Sequence, residues 1–177
     1  MIRQATADDA AAILKIYAPY CTDTVISFES ASPSVDEMKA RIEKCNATHL
    51  WIVDEEADGI FAYAYAGPHR DREAYRWSVD TSVYVDGAKR RTGLGTKLYT
   101  RLVVELRERG FYNAFAGVTL PNQASVNLHE KLGFRPVGIF HNVGYKMGKW
   151  HDVGWWHLVL KDHDQDPAEP TTRSLLI

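Results

Sequence analysis

The chain has 177 residues, 45% hydrophobic and 25% charged, a composition that supports one globular domain with a sizeable core. Its formal net charge of −2 argues against a nucleic-acid surface. Cys21 and Cys45 lack metal or redox spacing, Asp8 and Asp9 interrupt any early signal peptide, and no apolar run is long enough to cross a bilayer. A cytoplasmic protein with no membrane, nucleic-acid or metal partner is expected.

Residues 2–5 read as a short strand. Thr6 to Asp9 form a capping pattern with two acids suited to a helix N-terminus. Ile13, Ile16 and Tyr17 give that helix an apolar stripe, and Pro19 places its end nearby. Residues 24–29 read as a loop or short extended piece. Ser34 and Glu37 repeat the capping pattern and start a second helix, to about Lys44. Residues 50–53 and 60–65 read as a hairpin around Asp58-Gly59, which Gly67-Pro68 closes. His69 to Ala74 is a polar surface loop.

Arg76 to Val85 reads as the central strand. Alternation puts Trp77, Val79, Thr81, Val83 and Val85 on one face, and Arg76, Ser78, Asp80, Ser82 and Tyr84 on the other. A helix over 94–109 follows, burying Leu94, Leu98, Leu102, Val103 and Leu106, with Gly110 as its stop. Residues 112–119 form a strand, 125–132 a short helix closed by Gly133, and 134–140 and 153–160 the last two strands. Residues 1–161 make the domain, and 162–177 a loose polar tail. The order of elements predicts an α/β fold with a mixed, mostly antiparallel sheet flanked by helices.

Between the central strand and the long helix lies Lys89-Arg90-Arg91-Thr92-Gly93-Leu94-Gly95-Thr96. A strand, a basic glycine-containing turn and a helix together form a place to bind phosphate, because the first helical N–H groups lack intrahelical partners and carry partial positive charge. The spacing matches neither a Walker A loop nor the dinucleotide fingerprint, since Leu98 stands where the third glycine would be. A solvated turn is the plain alternative.

The pattern Arg-x-x-Gly-x-Gly at 90–95, followed by Asn122-x-x-Ser125-x-x-Leu128-His129-Glu130-Lys131-Leu132-Gly133-Phe134, resembles the Gcn5-related N-acetyltransferases (GNAT). Ala64 to Pro68, Asp80-x-Ser82-Val83-Tyr84-Val85 and Gly144-Tyr145-Lys146-x-Gly148-x-Trp150-His151-Asp152-Val153-Gly154 are similar to its phosphinothricin and methionine-sulfone acetyltransferase subgroup. The resemblance implies transfer of acetyl from acetyl-CoA to the amino group of a small amino-acid analogue such as phosphinothricin, methionine sulfone or methionine sulfoximine. It also implies a homodimer and a link to herbicide or antibiotic resistance.

The same resemblance implies the site. Arg90, Arg91, Thr92, Gly93, Leu94, Gly95 and Thr96 would hold the CoA pyrophosphate. The backbones of Val83, Tyr84 and Val85 would hold pantetheine, with Asn122 and Ser125 beside them. Asp80, where the subgroup usually has glutamate, would be the general base, directly or through water; pairing with a surface arginine is its alternative. His129 would be the acid for the departing thiolate, or else a packed helix histidine. Phe28, Tyr75 and Trp77 are candidate walls of the acceptor pocket, or else core aromatics, and Arg76, on the face of Asp80, would bind an acid group or else form a surface salt bridge. Lys146 and His151 have no assigned step. Neither cysteine sits in a nucleophile motif, so direct transfer in a ternary complex is expected. An acyl-CoA sensor without turnover, or an acetyltransferase for a polyamine or protein N-terminus, stays open. Trp155 and Trp156 are assigned to either the core or a partner subunit.

Overall fold

The computed structural model describes residues 1–172. Its strands are β1 (Ile2–Gln4), β2 (Leu50–Glu56), β3 (Gly59–Pro68), β4 (Ser78–Val85), β5 (Asn113–Leu120), β6 (Arg135–Lys146) and β7 (Lys149–Val159). Its α-helices are α1 (Ala10–Thr22), α2 (Val35–Asn46), α3 (Leu94–Glu108) and α4 (Gln123–Lys131). The strands form one sheet in the order β1-β2-β3-β4-β5-β7-β6, parallel between β4 and β5 and antiparallel elsewhere. The expected α/β fold with a mixed sheet is borne out.

Side-chain alternation splits the interior in two. In β2 and β3, Leu50, Ile52, Ala62, Ala64 and Ala66 join α3, Val79, Ala114, Ala116 and Phe134 in one core, with α4 residues packed against it. Trp51, Val53 and Tyr63 join α1 and α2 in the other. All five residues expected on the buried stripe of α3 are buried. At α2, Ser34 Oγ accepts from Glu37 N at 3.2 Å while the Glu37 carboxylate accepts from Ser34 N at 2.6 Å, the reciprocal capping that its sequence predicts. Pro19 sits in the last turn of α1.

Three expectations need correction. The central strand begins at Ser78, not Arg76, because Glu73–Tyr75 wind into a 3₁₀ turn capped by Arg76. The last two strands reach into residues 141–152, which sequence reading left outside them, and meet in a long hairpin at Met147-Gly148. Left-handed φ values of 50° at Met147 and 79° at Gly148 make that turn. His69 belongs to a polar loop, yet its side chain is only 13% exposed.

Residues 162–172 have no helix or strand. They still touch the body, since Thr171 N donates to Arg109 O at 2.8 Å and Trp77 Nε1 donates to Ala168 O at 2.9 Å. The remainder of the expected tail, 173–177, lies outside the described residues.

Candidate active site

The site starts where two strands part. β4 and β5 pair at Ser78–Asn113, Val79–Ala114 and Asp80–Phe115, and their pairing ends there. Thr81 Oγ1 donates to Phe115 O at 2.9 Å at the apex. Beyond it a cleft opens, lined by Thr81 to Tyr84 on one side and by Gly117 to Thr119, Asn122 and His129 on the other. The Trp77 carbonyl bonds Tyr112 N on the β5 side, and the Ser78 carbonyl bonds His69 N on the β3 side. Backbone direction alternates along a strand, so Val83 and Val85 turn their peptide groups toward the cleft and Tyr84 turns its own toward β3. The Val85 carbonyl accepts from the Tyr20 hydroxyl at 2.7 Å.

At the open end of β4 the basic turn leads into α3. Arg91 has φ 65° and Gly93, the N-cap of α3, has φ 90°. Left-handed Gly93 directly before the right-handed start of α3 is the alternation that can curve backbone N–H groups around an anion. Lys97 N bonds Gly93 O, leaving the first-turn N–H groups of α3 to an outside partner. That turn carries no acidic residue. Among the described residues neither Arg90 nor Arg91 has an ion-pair partner; Arg90 lies 5.2 Å over the Tyr20 ring. Thr92 Oγ1 donates to Lys89 O at 2.7 Å and shapes the turn from within. Gly95 lies against β4, where a Cβ would stand 3.3 Å from the Val85 side chain.

Asp80 lies at the apex, on the opposite face of β4 from the α3 core. It lines a cavity of about 350 Å³ with Tyr65, Gly67, Pro68, Ser82, Gly117 and Trp155. Its partner is His69, with Nδ1 2.6 Å from Asp80 Oδ1, and not an arginine. Burial pushes the Asp80 carboxyl above its ordinary value, opposed by the His69 hydrogen bond and by the nearby charge of Arg70. Tyr65, Gly67 and Pro68 also border a second cavity of about 550 Å³ beneath α2, lined by Met38, Trp51 and Tyr63.

His129 faces Asp80's strand from α4. Asn122 caps that helix, its Oδ1 accepting from Ser125 N at 3.2 Å. His129 is buried, edge-on to Tyr99 and Phe134, each 5.2 Å away. Its Nδ1 donates to Ser125 O at 2.7 Å, which fixes the tautomer, since a carbonyl only accepts. Nε2 is buried with no partner among the described residues. Burial pushes this imidazole below the ordinary histidine value. In its neutral form His129 therefore holds a lone pair at Nε2.

The four acceptor-pocket candidates separate. Tyr75 borders His69 with ring centroids 5.8 Å apart. Arg76 does not share the face of Asp80. It is held by Glu73 and Glu169 and lies 5.0 Å over the Trp77 ring. Tyr75 and Arg76 border a different cavity, of about 470 Å³, with Glu169 and Pro170. Trp77 is tied to the chain end through Ala168.

Phe28 sits on the α1–α2 loop, half exposed, against Gly144 of β6; a Cβ there would lie 2.1 Å from its ring. Lys146, buried, donates through Nζ to the carbonyls of Cys21 and Ser27 at 2.6 Å and Glu29 at 2.8 Å. His151 bonds the Lys146 carbonyl at 3.0 Å. Gly144, Lys146 and His151 thus dock the Phe28 loop onto the β6–β7 hairpin, a role that their spacing alone does not reveal. Trp156 is buried in the core, and Trp155 borders the Asp80 cavity.

Sequence reading missed His69 and Trp155. His69 carries no local signal; the strand register places it. With Gly67 opposite Asp80 in the β3–β4 ladder, a residue just past Pro68 lies beside that carboxylate.

Comparison with known proteins agrees with this geometry. Residues 2–155 match the Acetyltransferase (GNAT) domain family. A phosphinothricin N-acetyltransferase of Streptomyces viridochromogenes is 39% identical over 88% of this chain and 85% of its own length. An L-methionine sulfoximine/L-methionine sulfone acetyltransferase of Salmonella typhimurium is 34% identical over 92% of this chain and 95% of its own. A Salmonella typhimurium acetyltransferase structure with its cofactor acetyl-CoA has a TM-score of 0.91 at 34% identity, covering 95% of this chain and 98% of that one. With its parted β4 and β5 and a family match over nearly its whole length, the chain belongs to the GNAT acetyltransferase family.

Proposed function

We propose that this chain transfers acetyl from acetyl-CoA to the amino group of a small amino-acid analogue, in one step within a ternary complex. The observation that carries the reading is the placement on one strand of both halves of a reaction site. β4 offers its open edge and the α3 N-terminus at one end, and Asp80 in a separate cavity at the other.

The residues fit the CoA group. The α3 N–H groups and Gly93 suit a pyrophosphate, with Arg90 and Arg91 adding charge at the rim. Thr92 shapes the turn, while Leu94, Gly95 and Thr96 supply the N–H groups. Val83 and Val85 turn peptide groups to the cleft, where pantetheine amides would add like a strand. The Asn122 amide nitrogen is left for the same arm. Bound there, acetyl-CoA supplies an acetyl thioester. The Val83 N–H would polarise the thioester oxygen.

Asp80 takes the proton from the acceptor ammonium, which is largely protonated near neutral pH. The freed nitrogen forms the new C–N bond as the C–S bond breaks. The nitrogen must lose a second proton to become an amide; neutral His129 would take that proton at Nε2 and pass it to the departing thiolate, which leaves as CoA thiol. Acceptor residues are those that border Asp80, Tyr65 and Trp155; Phe28, held against Gly144 and His151 on the docked loop, would close the acceptor side from outside that lining. Arg70, 6.0 Å over the Trp155 ring and close enough to act on Asp80, suits an acid group better than Arg76, which Glu73 and Glu169 hold.

The relatives' names support amino-acid analogues over polyamines or protein termini. Acetylation would remove the charge and donor that such a compound presents to its target, which is how resistance would arise. Residues 1–161 would be the catalytic unit. We further propose a homodimer through the β6 edge, where Val137, Ile139, Phe140, Val143, Tyr145 and nearby Trp150 are exposed. Light scattering after size exclusion tests it, and a 20 kDa monomer would refute it.

The function is tested by mixing acetyl-CoA with phosphinothricin, methionine sulfone and methionine sulfoximine and following CoA release. Turnover with at least one is expected. CoA binding with no turnover on any amine would favour the sensor reading.

A further inference from the structure

We infer that His69 is a positioning residue for the base of the reaction, fixing one Asp80 oxygen and leaving the other to receive the acceptor's proton. This rests on the assignment of Asp80 as base.

Aspartate is one methylene shorter than glutamate, and a lone carboxylate on a strand can turn either oxygen to the cavity. Here it is held. His69 Nδ1 lies 2.6 Å from Oδ1. The imidazole stacks on Phe115 with centroids 4.2 Å apart and planes 19° apart, and Phe115 stacks on His157 at 4.5 Å and 11°. Tyr75 and Trp155 stand edge-on at 5.8 and 6.3 Å. Phe115 lies directly opposite Asp80 in the β4–β5 register, which is why a ring stacked on it reaches the carboxylate. The backbone is tied as well, since His69 N donates to Ser78 O at 3.3 Å and Arg70 Nη1 donates to His69 O at 2.7 Å.

The exposures assign the roles. The imidazole is 13% exposed and the Asp80 side chain 37%. Asp80 borders the cavity, and His69 stands behind it. The group that meets the acceptor is therefore the carboxylate. An imidazole stacked on one face by Phe115 and bordered by Tyr75 and Trp155 is pre-organised, so little entropy is lost in aiming the base. The titratable or charged groups around the pair are Arg70 from the same loop, Tyr75 from the 3₁₀ turn, Tyr65 from β3, Tyr99 from α3 and His157 from β7 behind Phe115. Of these, only Arg70 adds to the effect of His69 on Asp80.

The test is a double-mutant cycle on the full chain. His69→Phe keeps the ring on Phe115 but removes the hydrogen bond, and His69→Asn restores a donor near Nδ1. A hydrogen bond to a charged group is worth about 1.5–3 kcal/mol, which converts to a roughly 10- to 100-fold fall in kcat/KM for the amine. H69F is expected to show that fall. The acid limb of its pH profile should move to higher pH, because the half-buried carboxylate loses a group that keeps it ionised. The Kd for acetyl-CoA should stay unchanged, and H69N should recover part of the loss. In an Asp80→Asn background H69F should cost nothing further. In the unliganded protein, ¹⁵N-histidine spectra should show His69 protonated at Nδ1, with a proton resonance that D80N abolishes. Wild-type turnover and an unmoved acid limb in H69F would overturn the proposal, as would an H69F loss that persists undiminished in D80N. Wild-type turnover in D80N alone would instead remove Asp80 as the base, and the proposal with it.

Discussion

Lys146 provides a sharp test of how the acceptor side of the site is held. It is 9% exposed, and its ammonium takes three carbonyls, of Cys21, Ser27 and Glu29. Cys21 lies in the last turn of α1, so the ammonium also meets the negative end of that helix. Lys146→Met keeps most of the aliphatic stem and removes all three bonds. Each such bond contributes about 1.5–3 kcal/mol, and each carbonyl left buried costs about 1–3 kcal/mol. Recovered desolvation of the ammonium offsets part of this, so a net loss of about 3–5 kcal/mol is expected, the range for breaking a buried charged contact. Some of it is relieved if the loop at 23–29 swings into water, and that swing carries Phe28 away from the hairpin. Urea unfolding reads the stability loss, and steady-state kinetics read the displacement. We expect KM for the amine to rise about tenfold or more, one bond's worth, with KM for acetyl-CoA nearly unchanged. Gly144→Ala strikes the same junction from the other side, because its Cβ would lie 2.1 Å from the Phe28 ring. It should raise the same KM with a smaller stability loss, since a half-exposed ring can move aside. A K146M protein with wild-type urea midpoint and wild-type amine KM would refute the reasoning.

Two further outcomes follow from other parts of the structure. Replacing Arg90 and Arg91 together by glutamine should weaken acetyl-CoA binding roughly 3- to 30-fold, at about 0.3–1 kcal/mol per charge, with the difference shrinking at high salt; calorimetry at two salt concentrations checks both. Arg3 grips Asp9 through bonds of 2.7 and 2.8 Å and holds its carboxyl below the ordinary value of 3.8. A depressed folded-state pKa stabilises above the unfolded value, and the gain is lost as pH falls through the folded one. Asp9→Asn should therefore lower the urea midpoint at pH 7, and the gap should narrow below about pH 4. A gap that is constant with pH would contradict this.

What the sequence revealed and what it concealed have a common physical basis. The faces of β4 were legible because Val79 and Thr81 turn to a buried core while Asp80 and Ser82 do not, and that alternation is local. The α3 stripe and the Ser34–Glu37 cap were legible for the same reason. Arg76 was misread because the alternation runs on through it, whereas its position is set by Glu73 and by Glu169, far along the chain. The hairpin arm at 141–152 was missed because Gly144, Lys146 and His151 break any apolar period. Those residues answer to the α1–α2 loop more than a hundred positions earlier, as the 125-residue separation between Lys146 and Cys21 shows. His69 looked like one polar residue in a polar loop, and only the stack on Phe115 gives it a task.

The central claim is that one strand joins a CoA cradle to a base for the amine. Asp80→Asn tests it most directly, with acetyl-CoA affinity and acetyl transfer measured on the same protein. The account predicts a fall in kcat of about 10²- to 10⁴-fold, the usual worth of a general base, with the acetyl-CoA Kd unchanged. Wild-type turnover in D80N, or equal loss of turnover and acetyl-CoA binding, would contradict it.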